Sequence, residues 1–393
     1  MRLVAISSLL LAAAGALPAQ QPPSAPTGHS LAGLPSVNFD ADEGFGYGAL
    51  IQYYDYGYAG VQPYRYALQP AVFFTTRGRR DVTFFLDAPH LLPADWRLGA
   101  QLAREQQITA PYYGVGNATA NLTTATAGTN PYYYRFGRTV IRSNADFQHS
   151  LGYPALRVLL GVATRNADVK TVPYDSGTTL LAQQTGKTIL PTVNARLARL
   201  GLVWDTRDKE IGTEHGNWSE LLVQRAGRTL GGDQVFTRIT GTVRQYVPLM
   251  TNVTLAERVV MQTVHGDPAV SEIFVVQSSF RDDEILGGAT SIRGIPKNRY
   301  VGKGVAFANS ELRWSATSFN VAGRSARLIL SAFADAGRVW TDGLDVSQLT
   351  SDLHVGYGGG ARVAAGPSFV IAADVGHSSE STAAIYLGLG YLF

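Results

Sequence analysis

The last nine residues of the chain alternate so regularly that they predict a β-strand with two unlike faces. Large apolar side chains occupy one face: Ile385, Leu387, Leu389, Tyr391 and Phe393. Tyr386, Gly388 and Gly390 occupy the other face. The pattern is typical of the closing strand of a transmembrane β-barrel, in which lipid-facing and lumen-facing residues alternate and aromatic residues lie at the membrane interface. A soluble β-sandwich can alternate in the same way, so the rest of the chain has to decide between them.

The N-terminus favours an exported protein. Residues 1–19 are predicted to be a signal peptide, because Arg2 precedes an apolar stretch that is too short to span a bilayer and is followed by small residues. A buried core helix is the alternative interpretation. Residues 20–35 are rich in Gln, Pro, Ser and Gly and are predicted to be a flexible mature N-terminus. This division leaves residues 36–393 for the barrel and no room for a folded periplasmic domain before it.

The composition excludes several classes of protein. No long apolar run follows the N-terminus, so the chain is not a helical membrane protein. The absence of cysteine rules out disulfides, thiolate zinc sites and a catalytic cysteine. The net charge of +3 gives no case for nucleic acid as a partner. The 42 glycines, 19 tyrosines and only 16% charged residues are compatible with a barrel, which hides its apolar residues in alternation.

Strand patterns continue from about residue 36 to the end of the chain. In 196–205, 326–335 and 369–375, one face is apolar and the other carries charged or small residues. Because a membrane barrel is apolar outside and polar inside, these segments favour it over a soluble all-β fold.

Counting strands back from Phe393 predicts the orientation of the loops. If the last strand runs towards the periplasm, the periplasmic turns lie at 151–154, 208–216, 249–252, 315–325 and 365–367. The external loops then lie at 112–130, 170–193, 265–304, 341–352 and 377–383. Short periplasmic turns and long external loops are usual in outer-membrane barrels, as is an even number of strands. The predicted fold class is therefore an all-β, antiparallel transmembrane barrel of about sixteen strands in the bacterial outer membrane. The first strands, near 36–57, leave the count open by one hairpin.

Four segments carry motifs, and they occur in a definite order along the chain. They are Asp205-Thr206-Arg207-Asp208 with Gly216, Gly287-Gly288-x-x-Ser291-Ile292-Arg293-Gly294, Asn309 to Arg313, and Phe333 to Trp340. Together they resemble the bacterial surface-antigen barrels of the BamA/TamA-like outer-membrane assembly superfamily. The resemblance covers the barrel and is strongest over 195–393.

The resemblance implies that external loop six folds into the lumen and is held there by Arg293. The residues of this implied lock are Arg293, Gly294, Glu311 and Asp335. The chemistry of these residues is compatible with such a lock. A guanidinium binds carboxylates bidentately, and Glu311 and Asp335 lie on polar strand faces that should point inward. A merely solvated Arg293 is the alternative. Ile295 stands where the family usually has Phe or Tyr, so the loop is expected to pack less tightly.

The resemblance also assigns the two remaining sets of site residues. Asp205, Arg207 and Asp208 form a motif at a periplasmic turn, and Tyr391 and Phe393 form the C-terminal barrel signal. The expected function is insertion or translocation of proteins through a weak seam between the first and last strands. The periplasmic repeat domains of full-length assembly factors are not expected here, so delivery of clients to the barrel cannot be assumed.

Two other functions stay open at this point: a passive or gated pore, and a structural partner barrel in a larger complex. The expected partners are outer-membrane lipids and either unfolded outer-membrane protein clients or a periplasmic or lipoprotein partner.

No enzymatic activity, cofactor or metal is expected. His377-Ser378-Ser379-Glu380 is interpreted as a polar hairpin loop rather than a catalytic site, because no orienting partner or oxyanion hole is evident. Asp40-Ala-Asp42-Glu43 lacks the full ligand set of a calcium loop and is interpreted as a turn.

Overall fold

The computed structural model describes most of the chain from residue 27 onward. The described residues are 27–40, 43–58, 61, 63–93, 95–122, 130–153, 155–173, 178–210, 212–280, 282–321, 324–365 and 369–393. The predicted signal peptide lies outside them and stays a prediction. No helix among these residues is long and apolar enough to cross a membrane.

Sixteen antiparallel strands form one closed barrel, each paired with its neighbours in the sequence, and the last strand pairs with the first. The strands are β1 Gly28–Asp40, β2 Gly44–Gly57, β3 Tyr66–Thr75, β4 Arg79–Ala88, β5 Trp96–Pro111, β6 Arg135–Ser150, β7 Leu156–Lys170, β8 Val193–Asp205, β9 Gly216–Ala226, β10 Val235–Met250, β11 Val253–Asp267, β12 Gly304–Val321, β13 Arg324–Trp340, β14 His354–Ala365, β15 Phe369–Ser378 and β16 Ala384–Leu389. The predicted fold class is confirmed.

The two faces of the strands differ as the alternation predicted. On β8, for example, Leu200 is 52% exposed on the outer wall, whereas Arg199 is buried in the lumen. A barrel that is apolar outside and charged inside suits a lipid environment. The β12–β13 turn is shorter than predicted: both strands continue through most of 315–325, because their pairing extends to Val321 and Arg324.

The predicted boundary at residue 36 is wrong, because β1 begins at Gly28. Its residues pair with β2 along the whole strand, from Gly28 opposite Gly57 to Asp40 opposite Gly44. The Gly- and Pro-rich composition suggested a flexible segment, but the pairing uses backbone groups. Pro35 is tolerated because the other edge of β1 has no partner strand at that position.

The predicted lipid-facing position of Tyr391 and Phe393 is also wrong. Strand β16 ends at Leu389, and Gly390 adopts a positive φ of 91°, a conformation that favours glycine. The chain then turns into the lumen, where the Phe393 ring lies 6.3 Å from that of Tyr246. Arg313 lies against both terminal aromatics, with its guanidinium 4.6 Å from the Tyr391 ring and 5.2 Å from the Phe393 ring. Apolar alternation alone cannot distinguish lipid from such an aromatic pocket.

The long loops gather at one end of the barrel, and three of them fill its lumen there. We number the loops at this end from the N-terminus, so that the sixth, residues 268–303, is loop six. Its apolar residues pack with loop three (112–134) and with loop four (171–192), which contains the short helix α1, Leu180–Thr185. Ile295 is only 1% exposed in this cluster, so the looser packing expected of it is not seen. Loop six therefore sits inside the barrel as a packed plug.

Candidate functional site

Arg293 is buried in the lumen next to the barrel wall, where carboxylates from three strands surround its guanidinium. Its Nε and Nη2 donate to the two oxygens of Asp335 on β13 at 2.9 and 3.0 Å. Its Nη1 donates to Glu311 on β12 at 2.8 Å and to Asp374 on β15 at 3.3 Å. The guanidinium also stacks 3.4 Å from the centre of the Phe333 ring. Burial alone would lower the pKa of Arg293, but the hydrogen bonds and charge of Asp335, with Glu311 and Asp374, hold it above its usual value.

Gly294 follows Arg293 and brings the loop backbone against the barrel wall. Its φ is 96°, and a Cβ here would lie 2.7 Å from the backbone carbon of His377. Its N–H donates to the Tyr386 hydroxyl on β16 at 3.0 Å, and its carbonyl accepts from the Ser378 hydroxyl on β15 at 2.7 Å. The position thus requires glycine for both conformation and space.

The wall that receives this backbone is itself made of glycine. A Cβ at Gly356 on β14 would overlap the carbonyl oxygen of Arg293, and one at Gly376 on β15 would lie 2.7 Å from the nitrogen of Gly294. The glycines of β14 and β15 therefore form a shallow track in which residues 293 and 294 lie.

Three residues further along, Lys297 connects loop six to the first hairpin of the barrel, β1–β2. Its ammonium lies 2.5 Å from Glu43, in the β1–β2 turn, and 2.7 Å from Glu284 in loop six itself. Glu43 also accepts from Arg79 on β4 at 2.9 Å and from Gln107 on β5 at 2.8 Å. Burial would raise the pKa of Glu43, but the charges of Lys297 and Arg79 hold it well below its usual range.

The closure between β1 and β16, which we call the seam, is short. Only Phe39–Leu387 and Asp40–Tyr386 pair across it. Loop six binds both sides, because Gly294 contacts Tyr386 on β16 and Lys297 contacts Glu43 next to β1. Loop six is thus placed to hold the two ends of the sheet together.

Opposite charges are separated along loop six and matched by the lumen wall. Acids in its first half meet arginines of β4, β6, β7, β10 and β11, and cations in its second half meet acids of the seam side. The acidic contacts are Glu272 with Arg165 and Arg238, Asp282 with Arg142 and Arg165, Asp283 with Arg258, and Glu284 with Arg79. Since buried unpaired charges are costly, each half of the loop stabilises a wall that would otherwise repel itself.

The His377-to-Glu380 segment contributes contacts that the sequence did not reveal. Glu380 binds Arg299 at 2.7 Å and the Tyr300 hydroxyl at 2.6 Å, both from loop six. Ser378 holds Gly294, and His377 lies 3.0 Å from the carbonyl of Thr382. No group of His, Asp and Glu residues arranged to hold a metal ion occurs among the described residues.

The Asp205 motif shapes the turn at the opposite end of the barrel. Arg207 donates to both oxygens of Asp205 at 2.9 and 2.7 Å, and Asp208 accepts the N–H groups of Glu214 and His215. From this turn, Glu210 reaches Arg97 on β5 at 2.9 Å and Glu214 reaches Arg327 on β13 at 3.0 Å. The turn therefore crosses the mouth of the lumen.

Sequence reasoning placed Arg293, Gly294, Glu311 and Asp335 together and missed several of their neighbours. The structure adds Asp374, Glu43, Lys297 and Ser378. Asp374 lies in the segment 369–375, whose alternation predicts a polar face, and that was a usable signal. Nothing local marked the partnership of Lys297 and Glu43, because they are 254 residues apart.

A sixteen-stranded barrel with an apolar outer wall and a charged lumen filled by its own loop defines a transmembrane β-barrel protein. Residues 73–393 match the model of the Omp85 superfamily domain, and the chain belongs to that superfamily. Membership implies a bacterial outer-membrane protein. No curated protein sequence matches the chain.

Solved structures of the same fold include two barrels from other bacteria. BamA from Haemophilus ducreyi lacking POTRA domains 1–3 is 12% identical with a TM-score of 0.57, and the match covers 93% of this chain and 71% of that chain. CdiB from Escherichia coli is 12% identical with a TM-score of 0.58, with 92% and 63% covered. This chain thus spans less than two thirds of that CdiB. At such identity the likeness shows the fold alone.

Replacing Lys297 with methionine is expected to loosen the first hairpin. The change leaves Glu43 with Arg79 but removes its charged bond to loop six, at a cost of about 2 kcal/mol in the free energy of unfolding. Hydrogen exchange should rise in the β1–β2 turn. Lys303→Met is the matched control, because its ammonium donates to the carbonyl of Gly266 and forms no ion pair with any residue that the structure describes. Equal exchange in both variants would contradict a link across the seam.

The same link should tolerate mild acid. The folded-state pKa of Glu43 lies below its ordinary value of 4.5. Its ionised form therefore contributes fully to the free energy of unfolding above that pH, and this contribution is lost only as the pH falls through the lowered pKa.

Proposed function

We propose that the chain is a non-enzymatic barrel that assists the insertion or translocation of proteins at the bacterial outer membrane. The barrel would act by opening at the seam while loop six braces the lumen. The observation that carries the proposal is the pairing of β1: of its thirteen residues, only Phe39 and Asp40 pair with β16. Family membership and the BamA-like fold support the same function.

The unpaired length of β1 is chemically suited to receive another strand. Eleven residues, Gly28 to Asn38, have no partner on the β16 side, and their backbone groups on that edge can pair with an added strand. A short seam also has few backbone hydrogen bonds to break when it parts, besides the contacts that loop six makes on its two sides. The substrates implied are unfolded outer-membrane proteins, whose strands would add to β1.

The inward turn after Leu389 shortens β16 and supports the same mechanism. Because residues 391–393 lie in the lumen, they do not extend the seam along β1. Arg313 holds this tail through the backbone oxygen of Phe393 at 3.0 Å. Release of residues 391–393 would supply further residues to pair with β1. The seam would then lengthen beyond the two residue pairs that it has with the tail in the lumen.

The test is client folding with a locked seam. The purified barrel goes into liposomes, an unfolded small outer-membrane protein is added, and its folding is timed against empty liposomes. The chain has no cysteine, so F39C/L387C places a single disulfide across the seam. V259C/A308C, an outer-wall pair between β11 and β12, is the matched control.

We expect faster folding with the wild type and the control, and loss of the acceleration in the oxidised seam variant that returns on reduction. Acceleration that survives the seam disulfide would overturn the proposed mechanism. No acceleration by any barrel, with or without a co-purified periplasmic or lipoprotein partner, would overturn the function.

A pore is the second candidate, and the charged lumen favours it. Below loop six the lumen carries charged side chains such as Arg244, Arg313 and Arg362 that would line a water-filled path if the loop moved. Steady single-channel conductance in planar bilayers, together with no effect on client folding, would favour the pore.

A further inference from the structure

On four strands, β4, β5, β8 and β9, an arginine points outward from the barrel wall, where exposed apolar side chains face lipid. These arginines are Arg80 on β4, Arg104 on β5, Arg196 on β8 and Arg225 on β9, and each alternates with lumen-facing residues such as Arg79, Glu105, Arg199 and Gln224. The outer wall around them carries exposed apolar residues, and three of the residues directly opposite them on neighbouring strands are polar. The apolar residues are Val82, Leu102, Ile141, Leu200 and Leu221, and the polar ones are Gln106, Thr164 and Thr237. An outward arginine on a membrane barrel is costly at mid-depth and tolerated only near an interface.

All four lie at similar distances from the ends of their strands that are remote from loop six. Arg80 and Arg104 are eight residues from the far ends of their strands, Ala88 and Trp96, and Arg196 and Arg225 are nine residues from Asp205 and Gly216. A strand rises about 3.3 Å per residue and tilts by about 40°, so eight or nine residues climb roughly 20–23 Å. That distance approaches the roughly 25 Å apolar band of such barrels, which places the guanidiniums at the headgroups of the leaflet on the loop-six side.

The four arginines form two pairs of identical geometry. Arg80 is in register with Gln106, two residues from Arg104, and Arg225 is in register with Ala198, two residues from Arg196. Each pair is thus diagonal across neighbouring strands, with side chains about 7–8 Å apart at their origin, within reach of one another. Two guanidiniums at this spacing can grip one phosphate with forked hydrogen bonds.

The pairs have no acidic partner within the described part of the chain. None of the four forms an ion pair, whereas the lumen-facing Arg79, Arg142, Arg199 and Arg238 all do. Arg196 donates to Asn166 at 3.0 Å and Arg225 to Thr237 at 2.7 Å, so neutral groups orient them. Asp168 lies two residues beyond Asn166 on β7 and accepts from Thr192. Two like charges side by side at a lipid boundary are stabilised by an anion between them.

The row is confined to one side of the barrel. The described outward residues of β14, β15 and β16 include no arginine or lysine. Arg338 on β13 points outward but is covered by loop seven (341–353), donating to the carbonyls of Gln348 and Ser351. The cations therefore lie away from the seam.

We propose that the Arg80–Arg104 and Arg196–Arg225 pairs bind the phosphate groups of anionic lipid headgroups in the leaflet on the loop-six side. These lipids anchor the wall on β4–β9 and leave the seam side free of bound anionic lipid. The site is independent of any effect on client proteins.

The test counts bound lipid. The barrel in nonionic detergent is titrated with lipid A, a bisphosphorylated glycolipid, and bound molecules are counted by native mass spectrometry. The variants are R80Q/R104Q, R196Q/R225Q and all four together. The matched control is K187Q/R228Q, which removes two exposed loop cations at the same end of the barrel. Heat-dependent gel mobility verifies folding, which removal of outward charge should not impair.

We expect lipid A to bind the wild type and the control alike, with affinity falling about fivefold for each arginine removed. Phosphatidylcholine in place of lipid A should bind equally to all variants, and millimolar inorganic phosphate should not displace lipid A. Undiminished binding by the fourfold variant, or an equal loss in the control, would overturn the proposal. Displacement by inorganic phosphate would show a free-anion site instead.

Discussion

Arg293→Ala is expected to lower the free energy of unfolding of the barrel by about 3–5 kcal/mol, the usual cost of removing one partner from a buried ionic cluster. The variant leaves Glu311, Asp335 and Asp374 facing one another, with Arg313 and Arg362 as their remaining cations. Loop six loses its contact with β12, β13 and β15 together, so the lumen should open. The measurements are the temperature at which gel mobility changes and the conductance in planar bilayers.

One further variant separates charge from geometry at this position, and a second, at the end of the loop, is its control. Arg293→Lys keeps the charge but cannot form the two-pronged bond to Asp335, so it should recover only part of the stability. Lys303→Ala, at the end of the same loop, should behave as the wild type. A transition temperature and a conductance that stay unchanged in Arg293→Ala would show that the cluster does not hold loop six.

Gly356→Ala should displace loop six without altering a single charge. A Cβ at this position overlaps the carbonyl oxygen of Arg293 and lies 3.1 Å from the Ile292 side chain, and the backbone on both sides is held in place. Overpacking of this kind typically costs about 1–3 kcal/mol. We expect a lower transition temperature and faster tryptic cleavage after Arg293, because the bond to Asp335 lengthens as the loop moves.

Gly359→Ala is a matched control on the same strand. A Cβ there meets only the carbonyl of Ser331 at 3.3 Å and faces the outer wall. Alanine in a strand should be neutral or slightly stabilising, since it lowers the entropy of the unfolded chain. Equal effects of the two substitutions would contradict the displacement of loop six by Gly356→Ala, because they would reflect strand packing in general.

The sequence predicted the fold class because the strand signal is local. Alternation with a period of two is visible in segments such as 196–205, and those segments are strands with the predicted faces. The parity count placed 265–304 as the sixth external loop, and the barrel has its sixth loop at 268–303. Family membership followed from motifs that are contiguous in the chain.

The errors arose where a local pattern had two physical explanations. Gly28 to Pro35 has the composition of a linker, yet it pairs with β2, because backbone pairing does not depend on side chains. Tyr391 and Phe393 continue the apolar alternation of β16, yet Gly390 turns them into an aromatic pocket in the lumen. Residues 315–325 contain polar and small residues typical of turns, but long paired strands tolerate these residues where they project beyond the neighbouring strands.

The sequence by itself determined most of the strands, their faces and the loop that carries Arg293, since each depends on residues close together in the chain, and it left the strand count open by one hairpin. Only the tertiary structure decided what the lumen contains. Lys297 meets Glu43 across 254 residues, and Arg293 meets Asp374 across 81, because closing the barrel brings distant strands around one loop. The length of the seam was decided in the same way, because it depends on which residues of β1 and β16 lie opposite each other after closure.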